Sequence, residues 1–284
     1  MATPVPQPRR PRRPRCSRRR RRPLTVTLAV VSGVVAWGAG LARADDRAGH
    51  ESLNLPAGSL RISASLEVGL DVRSLGAPVS LAPDVYVGVT PRLTLGMIHS
   101  GRALGLIDSG RGLCVSGRSG GCDPVYSGTG LDGWYTLLRA PGFELATRTR
   151  VYAARFSGPL KLRVTLGLQG VFRVGPVALR FDPHLSVGLV NRELGNADTL
   201  NVPIQLFLAL GRYVAIYLRT GLRGLLNNFA EQYAVPLGLG VLVRPSARWQ
   251  VGAQVVFRQL LGPLNTHQKR DLLFYADYRF TPLF

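Results

Sequence analysis

The residues of this 284-residue chain whose types and spacing could do chemistry are few. Hydrolysis by an activated serine needs a histidine within reach of the hydroxyl and an acid to orient the ring. His184 and Ser186 stand two apart, and His99 directly precedes Ser100; no acidic orienter is evident beside His99. Cys114 and Cys122 lie in a Gly/Ser-rich stretch with no histidine near in sequence. Two cysteines are too few for a structural zinc site, so no metal is expected. A disulfide pinning a surface loop is the economical reading, with two free thiols as its alternative. The glycines at 110, 112, 117 and 121 are not followed by Gly-Lys-Ser/Thr, so they make no phosphate loop and call for no cofactor. They suit a flexible outer loop that can fold inward as a constriction.

A larger set of charged groups recurs at every second position, and that spacing says what must carry them. Residues 160–174 set Leu160, Leu162, Val164, Leu166, Leu168, Phe172 and Val174 on one parity, with Lys161, Arg163, Thr165, Gln169 and Arg173 on the other. Residues 60–72, 177–189 and 249–258 repeat the pattern. Period two is the mark of a strand with two unlike faces; a helix would scatter these charges around its axis. Twelve strands are predicted, at about 60–72, 79–90, 92–100, 133–140, 143–156, 159–174, 176–190, 199–210, 213–225, 231–244, 248–261 and 271–282. Every second link is tight and built from Pro or Gly, as in Thr90-Pro91-Arg92, Ala140-Pro141-Gly142 and Gly175-Pro176. The alternate links, 101–132, 191–198, 226–230 and 262–270, are longer.

Composition narrows the class. Hydrophobic residues make up 46% of the chain, too many for disorder. Only Leu24 to Gly40 is apolar for long enough to resemble a membrane helix, which excludes a polytopic helical protein. The net charge of +20 is uneven: residues 1–44 hold eleven Arg and no acid. The remaining 240 residues carry 25 basic and 16 acidic groups, or +9. An arginine-rich start, a short apolar run and Ala42-Arg43-Ala44 are the three parts of a secretory signal peptide, with cleavage expected after Ala44. Nothing later forms a DNA-reading motif, so no nucleic-acid partner is expected. Residues 45–58 are expected to hang in the periplasm as a short segment, with the barrel at 59–284.

Volume decides which face looks inward. Most strands offer about five to seven apolar side chains on one face, more than a twelve-stranded interior holds. The small residues, among them Gly88, Gly96, Gly240 and Gly252, lie on the opposite face. Turning the apolar face outward into lipid resolves both facts, and closure leaves no unpaired edge. The fold class expected is therefore all-β: a closed antiparallel transmembrane β-barrel with short periplasmic turns and longer extracellular loops.

The last strand agrees. Leu272, Phe274, Ala276, Tyr278, Phe280 and Phe284 share one parity. This resembles the closing strand and C-terminal assembly signal of bacterial outer-membrane β-barrel proteins of the porin-like kind, with Tyr278, Phe280 and Phe284 as the signal. Pro282 departs from the pattern, because it removes a strand donor. The resemblance implies export to the outer membrane, insertion by the barrel-assembly machinery and contact with outer-membrane lipid.

Assigning the polar parity to the lumen gives a charge map. Arg148, Arg150, Lys161, Arg163, Arg173 and Arg180 form a basic wall on strands five to seven. Glu67, Asp71, Asp84, Asp271 and Asp277 form an acidic wall on strands twelve, one and two, opposite it. Opposed walls orient polar solutes and select weakly by charge. Twelve tilted strands enclose a backbone ring roughly 24 Å across, with about 10 Å left between side chains. The function expected is a narrow passive channel for small polar solutes with a weak anion preference, not an enzyme. A plugged structural or ligand-binding barrel is the first alternative. An outer-membrane lipid hydrolase using His99 is the second; His184 and Ser186 fall on the lumen parity, away from acyl chains.

Overall fold

The computed structural model describes residues 47–71, 74–102, 112–116, 126–156, 158–263 and 265–280. One antiparallel sheet carries nearly all of them. Its first strands are β1 (Leu60–Asp71), β2 (Ser74–Gly88), β3 (Leu93–Ile98), β4 (Leu113–Ser116), β5 (Gly128–Ala140) and β6 (Phe143–Ala154). Then come β7 (Lys161–Val174), β8 (Val177–Phe181), β9 (His184–Gly188), β10 (Thr199–Ala209) and β11 (Val214–Leu225). One helical turn, α1 (Phe229–Gln232), precedes β12 (Tyr233–Val243), β13 (Trp249–Leu261) and β14 (Thr266–Phe280).

Each strand pairs with its neighbours in chain order, and β1 pairs with both β2 and β14, which closes the sheet. Two positions in the wall are each filled by two collinear strands. β8 and β9 share one, interrupted at Asp182 and Pro183, where proline has no N–H to donate. β3 and β4 share the other: β3 pairs with Val85 to Gly88 of β2, and β4 with Val79 to Leu81 of the same strand. Fourteen strands thus make a closed twelve-position barrel. Closure leaves every strand but the short β4 with two strand partners among the described residues, which is what a spanning sheet requires where no water reaches the backbone.

Exposure runs opposite to that of a soluble barrel. Along β1, Ile62 and Leu66 are 38% and 37% exposed, whereas Ser63, Ser65 and Glu67 are 2%, 0% and 4% exposed. On β5, Leu131 is 66% exposed beside Asp132 at 2%. Apolar side chains look out and polar ones look in, all round the ring. Trp249, Tyr278 and Phe280 pack together on the outer face, with ring centroids 4.7 Å and 4.6 Å apart. They mark an aromatic girdle at the short-turn rim. Of the expected C-terminal signal, Phe284 lies outside the described residues.

Three expectations are corrected. The second strand begins at Ser74 rather than 79, because the pairing with β1 runs on to Asp71 opposite Ser74; residues 74–78 belong to the strand. The fourth begins at Gly128 rather than 133, which brings Asp132 into the wall. The lumenal glycines do not widen the bore. They lie opposite aromatic residues in the register: Gly96 against Tyr86, Gly130 against Tyr152, Gly240 against Tyr217 and Gly252 against Tyr275. A Cβ at any of these would collide with the partner's side chain. Their smallness lets large rings lie flat along the inner wall.

Candidate functional site

The barrel's interior is the candidate site, and three structures inside it set its shape. The first is the segment from Arg47 to Ser59. It was expected to hang below the barrel; instead it packs inside the short-turn mouth, with Ala48, His50, Leu53, Asn54 and Leu55 all buried. The physical reason is polar pairing: an extended strap needs partners for its backbone, and the inner wall supplies them. Leu53 donates its N–H to Glu144 Oε2 at 3.0 Å, and Trp134 Nε1 donates to the Leu53 carbonyl at 2.9 Å. Leu55 N–H meets Thr94 Oγ1 at 3.1 Å, and Thr136 Oγ1 donates to Asn54 Oδ1 at 2.8 Å. Arg173 Nη2 donates to the Glu51 carbonyl, and Arg180 Nη2 pairs with the Glu51 carboxylate, each at 2.8 Å. The strap also reaches three of the short turns, at Pro91, at Gly175 and Pro176, and at Arg212.

The second is an inward excursion from the wall. β3 ends at Ile98, and His99 to Arg102 turn across the inner faces of β2 and β1. Asp84 holds the turn by accepting from the N–H groups of His99, at 2.7 Å, and Ser100, at 3.0 Å; Glu67 accepts from Gly101 N–H at 2.9 Å. Arg102 then spans to β14, donating Nη1 and Nη2 to the two oxygens of Asp277 at 2.8 and 3.0 Å. Its guanidinium stacks 3.7 Å from the Tyr275 ring centroid. Two of the expected lumenal acids, Asp84 and Glu67, thus act as anchors for backbone, and a third, Asp277, grips a cation.

The third is a buried charge cluster. Arg148 Nε donates to Asp132 at 2.9 Å and Nη1 to Asp182 at 2.8 Å. Arg150 pairs with Asp182 at 2.7 Å and with Asp132 at 3.3 Å. Two guanidinium groups and two carboxylates therefore neutralise each other along one wall, where bidentate geometry suits the fork of each arginine. The remaining expected lumenal residues also find partners beside them. Arg173 meets Glu144 at 3.0 Å, Lys161 the Gly195 carbonyl at 3.1 Å, and Arg163 Asn196 Oδ1 at 3.2 Å. Arg258 pairs with Asp271, and Asp71 accepts from Arg270 N–H at 3.2 Å.

Between these features lies a cavity of about 200 Å³. Its lining holds eight arginines and four carboxylates, an excess of positive charge. Asp132, Arg102 and Glu51 were not singled out in the sequence. Asp132 was legible, since Asp132, Trp134 and Thr136 alternate as β5 does.

The histidines are placed otherwise than a hydrolase needs. His99 was expected on the lipid face; because β3 stops one residue earlier, it is buried and its ring bonds Tyr126. His184 Nδ1 engages the Asp182 carbonyl at 2.7 Å, while Ser186 Oγ pairs with Thr165 Oγ1 at 2.8 Å, so the two side chains turn to separate partners. The Cys114–Cys122 pair cannot be followed, because Cys122 lies outside the described residues.

No family model and no curated protein matches the chain. Solved structures do. The KdgM porin covers 78% of this chain and 99% of its own, at a TM-score of 0.51 and 9% identity. A KdgM porin in complex with disordered oligogalacturonate gives 0.53 at 8% identity, with the same coverage. The NanC porin gives 0.50 at 6% identity, over 77% and 98%. With the closed ring and its inverted exposure, this likeness defines the fold as a porin-like β-barrel.

Proposed function

We propose that the protein is a narrow passive channel of the bacterial outer membrane for small polar solutes, with a weak preference for anions. The observation that carries this reading is the cavity inside the barrel, where arginines outnumber carboxylates two to one. A basic lining in a low-dielectric wall raises the local concentration of anions and lowers that of cations. The preference is weak because three of these cations, Arg102, Arg148 and Arg180, are already paired with carboxylates. One of the similar porins is in complex with disordered oligogalacturonate, an acidic sugar chain, which accords with a basic lining.

Biogenesis follows the same reading: cleavage after Ala44, passage to the barrel-assembly machinery and insertion into outer-membrane lipid. A Cys114–Cys122 disulfide would staple the outer loop.

A second reading, a barrel that does not conduct, is favoured by the strap and by Arg102, which both narrow the bore. Planar bilayers separate the two. Conductance steps, with a reversal potential under a KCl gradient on the chloride side, support the channel. Absence of steps at every voltage sinks it. Replacing Arg148, Arg150, Lys161 and Arg163 by Gln moves the reversal potential toward the potassium side if this wall contributes.

A further inference from the structure

The register of the closing seam places two cations face to face. Arg61 on β1 lies directly opposite Arg279 on β14, both on the inward parity that their neighbours Ser63 and Asp277 share. Like charges directly opposite on adjacent strands destabilise a sheet. The nearby carboxylates do not offset them at close range. Asp277 is gripped by both terminal nitrogens of Arg102, and Glu51 by Arg180. Arg61 instead stacks on Tyr86, 4.5 Å from the ring centroid, which leaves the edges of its guanidinium for other partners. Arg61 Nε and Arg279 Nε are buried with no hydrogen-bond acceptor among the described residues.

Two more arginines complete a crescent. Arg244 and Arg248 bound the β12–β13 turn, and both line the same cavity as Arg61 and Arg279. The backbone fixes this junction, since Arg279 N–H donates to the Arg248 carbonyl at 2.8 Å. The strap's hydrogen bonds to the short turns fall at Pro91, Gly175, Pro176 and Arg212. The four arginines therefore converge on one side of the cavity at the short-turn mouth, beside the strap.

We propose that this crescent is a binding site for a dissolved oxyanion carrying two or more negative charges, in phosphate or polycarboxylate form. Guanidinium forks bind such groups bidentately, and one multivalent anion relieves the repulsion between Arg61 and Arg279. The proposal deepens the channel reading, because a solute crossing the bore meets this site at the periplasmic mouth.

The test uses the detergent-solubilised mature barrel and inorganic pyrophosphate as probe, with binding read by calorimetry. The expected result is saturable binding that weakens about tenfold or more in Arg61→Gln/Arg279→Gln. Arg248→Gln, in the turn and tied to the seam only through its backbone carbonyl, weakens it too. Arg92→Gln, exposed on another short turn, leaves it unchanged. No binding, or binding indifferent to the double substitution in a protein of unchanged heat-modified mobility, overturns the site. Calorimetry does not require conductance: binding without current steps keeps the site and removes the channel, and current steps without binding do the reverse.

Discussion

Tyr275 on β14 lies flat across Gly252, its direct partner on β13, and Tyr217 on β11 covers Gly240 on β12 in the same way. A cross-strand aromatic shields the bare backbone at glycine, and the glycine gives the ring a level bed. This pairing is how a twelve-position barrel fits large aromatics inside without bursting its register.

Gly252→Ala or Gly240→Ala forces the ring off the wall. Overpacking of this kind costs about 1–3 kcal/mol. Urea unfolding in micelles should show a lower midpoint for either variant. Gly158→Ala, where a Cβ meets nothing within 4 Å, should leave the midpoint unchanged.

The four-charge cluster gives a sharper effect. Asp132 has a fully buried side chain and partners two arginines that are themselves buried. Asp132→Asn leaves a buried positive charge under-compensated, at a cost of about 3–5 kcal/mol. Refolding yield and unfolding midpoint both fall if the cluster stabilises the wall; a wild-type midpoint would show that water in the bore screens it.

The strap should govern how much current passes. Glu144 accepts from both Ser52 Oγ and Leu53 N–H and pairs with Arg173. Glu144→Gln weakens all three ties at once. Single-channel recordings should show larger and noisier open currents; identical currents would mean that the strap does not limit flow.

An outer loop offers a pH-dependent contact. Arg192 donates to Asp198 at 2.7 Å, and that hydrogen bond holds the Asp198 carboxyl below the usual carboxylate range. A lowered folded-state pKa means the tie is present above the ordinary carboxylate pKa and is lost as pH falls through the lowered one. Arg192→Ala should raise the Asp198 pKa in an NMR titration, and the Gly188 amide that also donates to Asp198 should exchange faster at low pH.

Much of this barrel was legible because period two survives wherever one face meets lipid. Val251, Val255 and Phe257 against Gln250, Gln254 and Arg258 fix both strand and facing. What was not legible depends on contacts distant in sequence. Nothing local in Glu51-Ser52-Leu53-Asn54 says that Glu144, Trp134 and Thr136 wait for it some ninety residues on. Likewise, Arg102 read as loop because its partner Asp277 is brought near only by closure of β1 on β14. His99 was misplaced because β3 ends at Ile98, two residues before the predicted end at 100, so the alternation does not carry through His99, whose N–H turns to Asp84.

The two tryptophans of the barrel test the orientation on which everything else depends. Trp249 sits 48% exposed on the outer face, and Trp134 is 4% exposed inside, bonded to the strap. Single-tryptophan variants, Trp134→Phe and Trp249→Phe, are placed in bilayers of brominated lipid and their fluorescence compared with that in unbrominated lipid. Strong quenching of Trp249 with Trp134 nearly untouched is the expected result. Equal quenching of both, or quenching of Trp134 alone, would contradict an outward apolar face around a polar lumen.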